Sequence, residues 1–431
     1  MSASEPPPPS TSPPAAAEQP GTSQLGGEQF ALTRQQREWC ARLRALGAER
    51  LRPLAAAGEP GRVNRPLVRE LGELGLLARA VPGAQPGRPA GALELCLLRE
   101  SLAHSCAEAE TALALQGLGA GPIADAGSER QRARWLPEAA AGRAVAAFAL
   151  SEPGAGSDAA ALTLRAEPDG SVPSGDRHEA RGWRLTGTKT WISNAPEADF
   201  YTVFARTGEG PGARGVTAFL VPADRPGLSG EPLDMLAPHA LGTLAFDAVP
   251  VTHHDLLGKP GGGFGVAMRT LNLFRPSVGA FAVGMAQAAL DASLDHAAQR
   301  SAFGGVLRDL QSVSHQLAEM ATRTEAARLL VYAAACAYDA SGGAGDEVAR
   351  RAAMAKLTAT ETAQYVVDAA VQIHGAAALQ RGHLLEHLYR EVRAPRIYEG
   401  ATEVQRSLVA KELYRTRGPH APERHTKEPD T

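Results

Sequence analysis

The stretch that divides this chain reads Ser151-Glu152-Pro153-Gly154-Ala155-Gly156-Ser157-Asp158, and it follows an apolar run at residues 144–150 that predicts a buried strand. The character of the chain changes here. Upstream, Ala- and Leu-rich segments punctuated by Gly and Pro predict several helices. Downstream, short alternating runs such as residues 201–205 and 216–220 are separated by Gly and Pro turns, which predicts a compact β domain.

Helical periodicity returns after Gly265. One stripe of a long helix is marked by residues three or four apart, namely Leu317, Met320, Thr324, Ala327, Val331 and Ala334. The order of helices, sheet and helices predicts an α+β multidomain protein. Its parts are an N-terminal helical domain at 28–143, a central antiparallel β-barrel-like domain at 144–258, and a C-terminal four-helix-bundle domain at 259–416.

The two ends of the chain have a different composition. Residues 1–27 are rich in Pro, Ser and Ala, and residues 417–431 are similar, so neither segment can bury enough apolar surface to offset the entropy lost on ordering. We therefore predict a disordered N-terminal tail and a flexible C-terminal tail. Thr33 and Gln36 match a capping box, which predicts that the first helix begins at this point.

Composition excludes several classes of protein. The formal net charge of -3 over 431 residues argues against a nucleic-acid surface. No Cys-x-x-Cys spacing occurs among the four cysteines, which predicts free buried thiols in a reducing cytoplasm rather than a metal site or redox pair.

The N-terminus carries acid and prolines where a signal peptide needs a basic start and an apolar core, so we predict a cytoplasmic location. The apolar stretch at 278–290 is too short to span a bilayer and predicts a buried helix, without membrane association.

A second informative stretch is Tyr398-Glu399-Gly400, which follows an arginine-rich run at residues 390–396. A Glu-Gly pair is not ordinary helix interior, because Gly costs about 1 kcal/mol there relative to Ala. Glu399 is therefore predicted to lie on a bend. Thr402 and Gln405 match a second capping box, so the next helix is expected to direct its positive N-terminal end toward Glu399. Such a place suits an anion or a cofactor.

With a third stretch, Gly187-Thr188-Lys189-Thr190-Trp191-Ile192-Ser193-Asn194, the chain resembles the acyl-CoA dehydrogenase family of flavoproteins. The three motifs occur in the family's order, and the resemblance covers everything except the two tails. It implies FAD as cofactor and the α,β-dehydrogenation of an acyl thioester, bound to CoA or to an acyl carrier protein, to the 2-enoyl thioester. It also implies electron-transfer flavoprotein or another electron acceptor as partner, and a homodimer or homotetramer.

The resemblance also implies cofactor-binding residues. The loop at 151–158 would cross the flavin, Trp191 would lie against its ring, and Ser193 would hydrogen-bond its N5 atom. Arg300, in a segment with Gln311 after it, resembles the arginine element that reaches the FAD diphosphate of a neighbouring subunit, for which its planar fork is suited. The full implied set is Phe148, Leu150, Ser151, Gly156, Trp191, Ser193, Arg300, Phe303, Gln311, Gln372, Gly375, Ala401 and Glu403.

Three positions depart from the family's pattern. The family commonly has a second Gly after Gly375, a Thr after the Glu-Gly pair and a polar residue before Phe303, where this chain has Ala376, Ala401 and Ala302. Each Ala removes either a close backbone approach or a hydroxyl group. A non-catalytic subunit of a mixed oligomer therefore stays an alternative, as does an acyl-CoA oxidase or flavin monooxygenase of the same fold.

For catalysis, the resemblance implies that Glu399 is the base that removes the α proton. Some branches of the family place the base on an earlier helix beside an Arg, but here Phe274 precedes Arg275 and offers no carboxylate. The implied substrate-binding residues are Ser157, Arg275, Tyr398 and Gly400.

Other short motifs point to other chemistry. The spacings Gly154-x-Gly156-x-x-Ala159 and Gly210-x-Gly212-x-x-Gly215 fit a dinucleotide fingerprint, but the helix and distant acidic residue of a βαβ unit are not evident. His383-x-x-Glu386-His387 matches the inverted zinc-protease signature. We interpret it as a solvated or interface histidine pair and predict no metal.

Overall fold

The computed structural model describes residues 32–84, 91–169, 182–208, 210–343 and 345–415. The predicted tails at 1–27 and 417–431 lie outside these residues. The predicted helix start is confirmed, because the Gln36 amide donates to Thr33 Oγ1 at 3.2 Å and the Thr33 amide donates to Gln36 Oε1 at 2.9 Å.

The N-terminal part is helical, as predicted, and a π-helical segment at Gly47–Leu51 joins its first two helices. The helices are α1 (Arg34–Leu46), α2 (Arg52–Ala56), α3 (Arg65–Glu73), α4 (Leu77–Ala80), α5 (Ala92–Ser105), α6 (Ala107–Ala126) and α7 (Glu129–Ala140). Helices α5 and α6 are apolar around most of their circumference, so both are core helices covered on several sides. Even charged residues of α5, Arg99 among them, are buried.

The central part is one eight-stranded sheet. Its strands are β1 (Ala146–Ala149), β2 (Arg165–Pro168), β3 (Gly182–Ser193), β4 (Phe200–Arg206), β5 (Val216–Pro222), β6 (Leu228–Pro232), β7 (Leu241–Thr252) and β8 (Leu256–Leu257). The apolar run at 144–150 forms β1, as predicted.

The prediction of an antiparallel, barrel-like domain is wrong in its detail. Strand β1 runs parallel to β4, pairing Ala146 with Phe200, and β2 is also parallel to β4. The sheet is therefore mixed. Its strand path runs β6-β7-β3-β2-β4-β5-β8, and the strands described at its two ends do not pair to close it. Periodicity reveals strands but not the direction in which they pair, so the sequence pattern could not decide this point.

The C-terminal part consists of long helices and one small hairpin. They are α8 (Gly263–Gln299), β9 (Ser301–Ala302), β10 (Gly305–Val306), α9 (Gln311–Ser341), α10 (Asp346–His374), α11 (Leu384–Glu391) and α12 (Thr402–Arg415). The predicted stripe on α9 is confirmed, since all six of its residues are buried. Helix α8 packs against α5, α9 and α10, and α12 packs along α10.

Helix α8 contains the apolar stretch at 278–290. By length and composition, α8 alone among the helices of the described ranges could cross a membrane. Of its most apolar 18-residue window, 78% is buried inside the protein, which is also typical of the core helix of a soluble protein. The buried helix predicted for this stretch is confirmed.

Candidate active site

The predicted bend at Glu399 is present between a short 3₁₀ turn, Ala394–Arg396, and α12. Glu399 has φ = 51° and Gly400 has φ = 100°, so both occupy the left-handed region of backbone space. A side chain at Gly400 is disfavoured by its left-handed conformation, and a Cβ there would lie 1.9 Å from Gln405 Nε2, so Gln405 would have to leave the turn. Gly400 is therefore the residue that this turn requires.

The capping box predicted for α12 is wrong. Thr402 lies inside the helix rather than at its N-cap position, and its hydroxyl donates to Glu361 Oε1 at 2.7 Å. Gln405 Nε2 instead donates to the carbonyls of Glu399 and Gly400 at 3.4 and 3.2 Å. The capping box is replaced by a contact with a residue of another helix. Arg396 pairs with Glu361 and brings a carboxylate beside Thr402, and a charged acceptor forms the stronger hydrogen bond.

Two cationic side chains from other helices also donate to the backbone of this turn. Arg275 of α8 donates through Nε to the Glu399 carbonyl at 3.3 Å and through Nη1 to Asn272 Oδ1 at 2.9 Å. Lys356 of α10 donates through Nζ to the Gly400 carbonyl at 2.7 Å. Together with Gln405 of α12, three helices hold the turn that presents Glu399. Arg275, predicted to bind substrate, therefore contacts the backbone of this turn.

Glu399 is partly buried, its Oε2 atom is buried, and within the described ranges that atom has no hydrogen-bond partner. Burial raises the pKa of Glu399 above its ordinary value, while the positive charges of Arg99, Arg275 and Lys356 act in the opposite direction. Burial also lowers the pKa of Lys356 to about 8. A desolvated carboxylate with a free oxygen can accept a proton from a bound ligand.

A buried ion pair that interacts electrostatically with Glu399 was not predicted from the sequence. Arg99 of α5 pairs with Glu110 of α6 and donates through Nη1 to Ser277 Oγ of α8 at 2.7 Å. Burial raises the pKa of Glu110 to about 7, even though Arg99 opposes this shift. The sequence feature that could have indicated this ion pair is the presence of two charged residues inside helices that are rich in Leu and Ala. Periodicity alone cannot tell such a pair from a solvated face.

Glu152, a buried residue within the loop at 151–158, anchors this loop to neighbouring segments. This carboxylate accepts hydrogen bonds from the backbone amides of Thr163 and Leu164 at 2.6 and 2.9 Å, and from Lys189 Nζ at 2.9 Å. Lys189 also donates to the Leu150 carbonyl at 2.9 Å. The predicted site residues differ in exposure: Leu150 is buried, Phe148 and Ser151 are partly buried, and Gly156 and Ser157 are exposed.

Trp191 and Ser193 lie at the end of β3, where the register with β7 shifts between Lys189 and Ile192. Trp191 has φ = 55°, a strained value for a bulky residue, and 49% of its surface is exposed. An exposed indole at a strained position of a largely buried sheet leaves an apolar face free for a flat ring, and Ser193 adds a hydroxyl two residues later. These residues fit the flavin of FAD.

A second set of predicted cofactor residues lies at one end of the helical part. The rings of His296 in α8 and His374 in α10 stack with centroids 4.1 Å apart, so the ends of the two helices meet. Arg300 and Gly375 follow the two helices directly, and Gln372 lies in the last turn of α10; all three are exposed. Phe303 lies at the turn of the β9–β10 hairpin with 92% of its surface exposed, and Gln311, which begins α9, is exposed as well.

The remaining predicted residues lie around the Glu399 turn. Tyr398, Gly400 and Ala401 are partly buried, whereas Glu403 on α12 is exposed. Burial raises the pKa of Tyr398 well above its ordinary value. Of the three departures from the family's pattern, Ala302 and Ala401 are partly buried and Ala376 is exposed. The structure thus brings Arg275, Tyr398, Glu399 and Gly400 together.

The competing motifs have other roles. The first glycine motif lies in the loop after β1 and leads to a 3₁₀ turn, Ala159–Ala161, while the second leads into β5, so neither begins the α-helix of a βαβ unit. His383 accepts a hydrogen bond from the Leu385 amide at 3.1 Å through Nδ1 and caps α11. His387 Nε2 lies 3.4 Å from Glu108. No group of three or more metal-binding side chains occurs in the part of the chain that the structure describes.

We expect the substitution His387→Ala to leave activity and metal content unchanged, because His383 is engaged as a helix cap and His387 faces carboxylates of the protein itself. Elemental analysis of the purified protein, before and after the substitution, checks this expectation. Stoichiometric zinc that is lost together with activity in the variant would contradict it.

Comparison with known proteins identifies the family. Models of the acyl-CoA dehydrogenase N-terminal, middle and C-terminal domains match residues 33–143, 147–249 and 261–414. The mitochondrial short-chain specific acyl-CoA dehydrogenase of Bos taurus is 38% identical over 378 residues, which cover 86% of this chain and 88% of the relative.

Two solved structures support the same assignment. Butyryl-CoA dehydrogenase from Megasphaera elsdenii is 32% identical, with a TM-score of 0.80 and coverage of 89% of this chain and 99% of that chain. A chain solved in work on the electron transferring flavoprotein of Acidaminococcus fermentans is also 32% identical, with a TM-score of 0.81 and coverage of 90% and 99%.

The resemblance stated from three motifs is therefore confirmed, and with it the predicted class of enzyme and the predicted FAD cofactor. The alternatives of an oxidase, a monooxygenase or a non-catalytic subunit are not favoured by these relatives. This chain belongs to the acyl-CoA dehydrogenase family of FAD-dependent oxidoreductases.

Proposed function

We propose that this chain catalyses the α,β-dehydrogenation of a short acyl-CoA to the 2-enoyl-CoA, with Glu399 as the catalytic base. The observation that carries the proposal is the left-handed turn of Glu399 and Gly400, which presents a carboxylate whose buried Oε2 atom has no hydrogen-bond partner among the described residues. The short acyl chain is proposed from the similarity to the short-chain specific relative and to butyryl-CoA dehydrogenase.

In the proposed reaction, a Glu399 carboxylate oxygen takes the proton from the α carbon of the thioester. The electron pair of the broken C–H bond forms the new Cα–Cβ double bond as the β hydrogen leaves with its own pair. FAD, when bound, supplies the acceptor for this hydride. Because burial raises the pKa of Glu399, its carboxylate is a stronger base than an exposed one. The acyl chain excludes water and strengthens this effect.

The proposed roles of the cofactor residues follow their positions. Trp191 offers an apolar face and Ser193 a hydroxyl to the flavin, and the loop at 151–158 covers it. Lys189 donates to the Leu150 carbonyl and to Glu152, and so fixes the start of that loop. The remaining proposed contacts with FAD are Phe148, Ser151, Gly156, Ala401 and Glu403, and those with the thioester are Ser157, Arg275, Tyr398 and Gly400.

We expect a homodimer or homotetramer in which the site is shared between subunits. Arg300, Phe303, Gln311, Gln372 and Gly375 would contact the FAD of a neighbouring subunit, and their exposure at one end of the helical part supports this assignment. Light scattering of the FAD-loaded protein checks it. An active monomer at micromolar concentration would contradict the shared site.

The remaining predictions rest on similarity or on the sequence alone. We propose three domains divided near residues 143 and 258, and a four-helix bundle that α8, α9, α10 and α12 form in the last of them. The packing of α8, α9 and α10 on one another and of α12 on α10 supports the bundle. We further propose electron-transfer flavoprotein as the electron acceptor. The cytoplasmic location stays a prediction from the N-terminal sequence.

The substrate is tested by anaerobic reduction of the flavin. Acyl-CoA thioesters of about 4, 8 and 16 carbons are mixed with the protein, and we expect the flavin absorbance to bleach fastest with the shortest of them. The starting material must release FAD on acid treatment. Rapid bleaching by the longest thioester alone would overturn the proposed chain length, and no bleaching by any acyl-CoA would overturn the proposed reaction.

A further inference from the structure

Lys356 lies in the middle of α10 with none of its surface exposed, and its Nζ donates to the Gly400 carbonyl at 2.7 Å. We propose that Lys356 is a positioning residue for the dehydrogenation: it holds the turn of Glu399 and Gly400, and its ammonium charge favours the ionised form of Glu399. This inference rests on the proposed function, in which Glu399 is the base.

The turn needs external support because its backbone conformation is unfavourable. Glu399 has φ = 51°, which costs free energy for a residue with a side chain and persists only where the surroundings enforce it. Three side chains do so. Arg275 and Gln405 donate to the two carbonyls at distances between 3.2 and 3.4 Å, whereas the Lys356 bond of 2.7 Å is shorter and its donor is charged.

A buried ammonium at this place is costly, which argues that its charge is used. Burial lowers the pKa of Lys356 to about 8, and the nearby charge of Glu399 opposes this shift. Arg275 on α8 also faces Lys356 and disfavours its charge, while Glu361 on α10 and Glu403 on α12 favour it. The described hydrogen bond of Lys356 goes to the backbone of the turn, and Glu399 Oε2 has no partner in the described ranges.

The charge of Lys356 acts on Glu399 together with two other cations. Burial raises the pKa of the Glu399 carboxyl, and Arg99, Arg275 and Lys356 are the groups that oppose this shift. If one of these three positive charges is lost, the effect of burial on the pKa of Glu399 is less strongly opposed. Removal of the Lys356 charge should therefore raise the pKa of Glu399, and the ionised base should be lost at a higher pH.

Three substitutions separate the charge from the hydrogen bond. Lys356→Gln keeps an N–H donor and removes the charge, Lys356→Met removes both, and Lys356→Arg keeps both. The matched control is Lys411→Gln, which removes one positive charge from an exposed position on α12. Each variant is loaded with FAD, and its flavin spectrum and thermal unfolding are compared with those of the wild type.

The first measurement is the pH profile of kcat/KM for flavin reduction by a short acyl-CoA. In the wild type and in Lys411→Gln, activity falls as pH drops through the pKa of Glu399. We call this fall of activity at low pH the acidic limb. In Lys356→Gln we expect the acidic limb to lie at higher pH than in the wild type, with KM little changed. In Lys356→Met we expect the same movement and a further loss of kcat of about 10²-fold, because a displaced base is costly. An acidic limb of Lys356→Gln at the wild-type position would overturn the inference.

The second measurement needs no turnover. Infrared titration of the carboxyl C=O band, with Glu399→Gln as the blank, reports the pKa of Glu399 directly, and we expect a higher pKa in Lys356→Gln. If that variant does not fold, Lys356→Arg decides: it should keep the wild-type limb, and a moved limb would overturn the inference. Failure of the proposed function is distinct, because no acyl-CoA would then bleach the wild type, while the infrared titration would still test the effect of Lys356.

Discussion

The substitution Glu399→Gln is expected to abolish flavin reduction by acyl-CoA while folding and FAD binding stay nearly intact. Glutamine preserves the size and shape of the side chain, and the carbonyls of the turn still accept from Arg275, Lys356 and Gln405. It cannot accept the α proton, so the loss falls on the chemical step and not on ground-state binding. General-base catalysis contributes about 10²- to 10⁴-fold, and we expect a loss at the upper end or beyond, since Phe274 offers no substitute carboxylate.

The measurement is rapid-mixing reduction of the flavin, with wild type and variant side by side. The matched control is Glu319→Gln, which makes the same change at a half-exposed position on α9. Burial raises the pKa of Glu399. Wild-type kcat/KM should therefore begin to fall at a higher pH than it would for a base with the ordinary pKa of a carboxyl group. The variant should lack this limb. A variant that bleaches within a few-fold of the wild-type rate would show that Glu399 is not the base.

The substitution Lys189→Met is expected to produce a large loss in the free energy of unfolding. Lys189 and Glu152 form an ion pair at 2.9 Å, with only 0% and 3% of their side chains exposed. Removal of one partner leaves a buried charge without its counter-ion, which typically costs about 3 to 5 kcal/mol. Lys189 also donates to the Leu150 carbonyl, so the loop that follows Leu150 loses a tether. We therefore expect weaker FAD binding as well.

Urea unfolding of the apoprotein and FAD titration measure the two effects. The matched control is Arg165→Met on β2 of the same sheet, where Arg165 and Glu167 form a pair with 64% and 60% of their side chains exposed. Such an exposed pair contributes about 1 kcal/mol at most. In the double variant Lys189→Met, Glu152→Gln, part of the lost stability should return because the uncompensated charge is removed. A loss for Lys189→Met no larger than that of the control would refute the expectation.

Local sequence rules predicted much of the fold. Thr33 and Gln36 marked the first helix because a capping box needs only neighbouring residues, and the stripe on α9 followed from the period of one helix. The mixed sheet was missed because strand direction depends on which strands meet. The second capping box failed for a similar reason, since Glu361 is 41 residues from Thr402 and competes for its hydroxyl.

The sequence by itself determined that Glu399 lies on a bend, because Gly400 is the residue that a left-handed turn favours, and it determined the order of helices, sheet and helices. Only the tertiary structure decided what surrounds that bend. Lys356 and Arg275 reach the turn across 44 and 124 residues, and Lys189 reaches Glu152 across 37. The physical reason is that these charges are buried together only after the helices and the sheet have packed, so no local period in the sequence records their contacts.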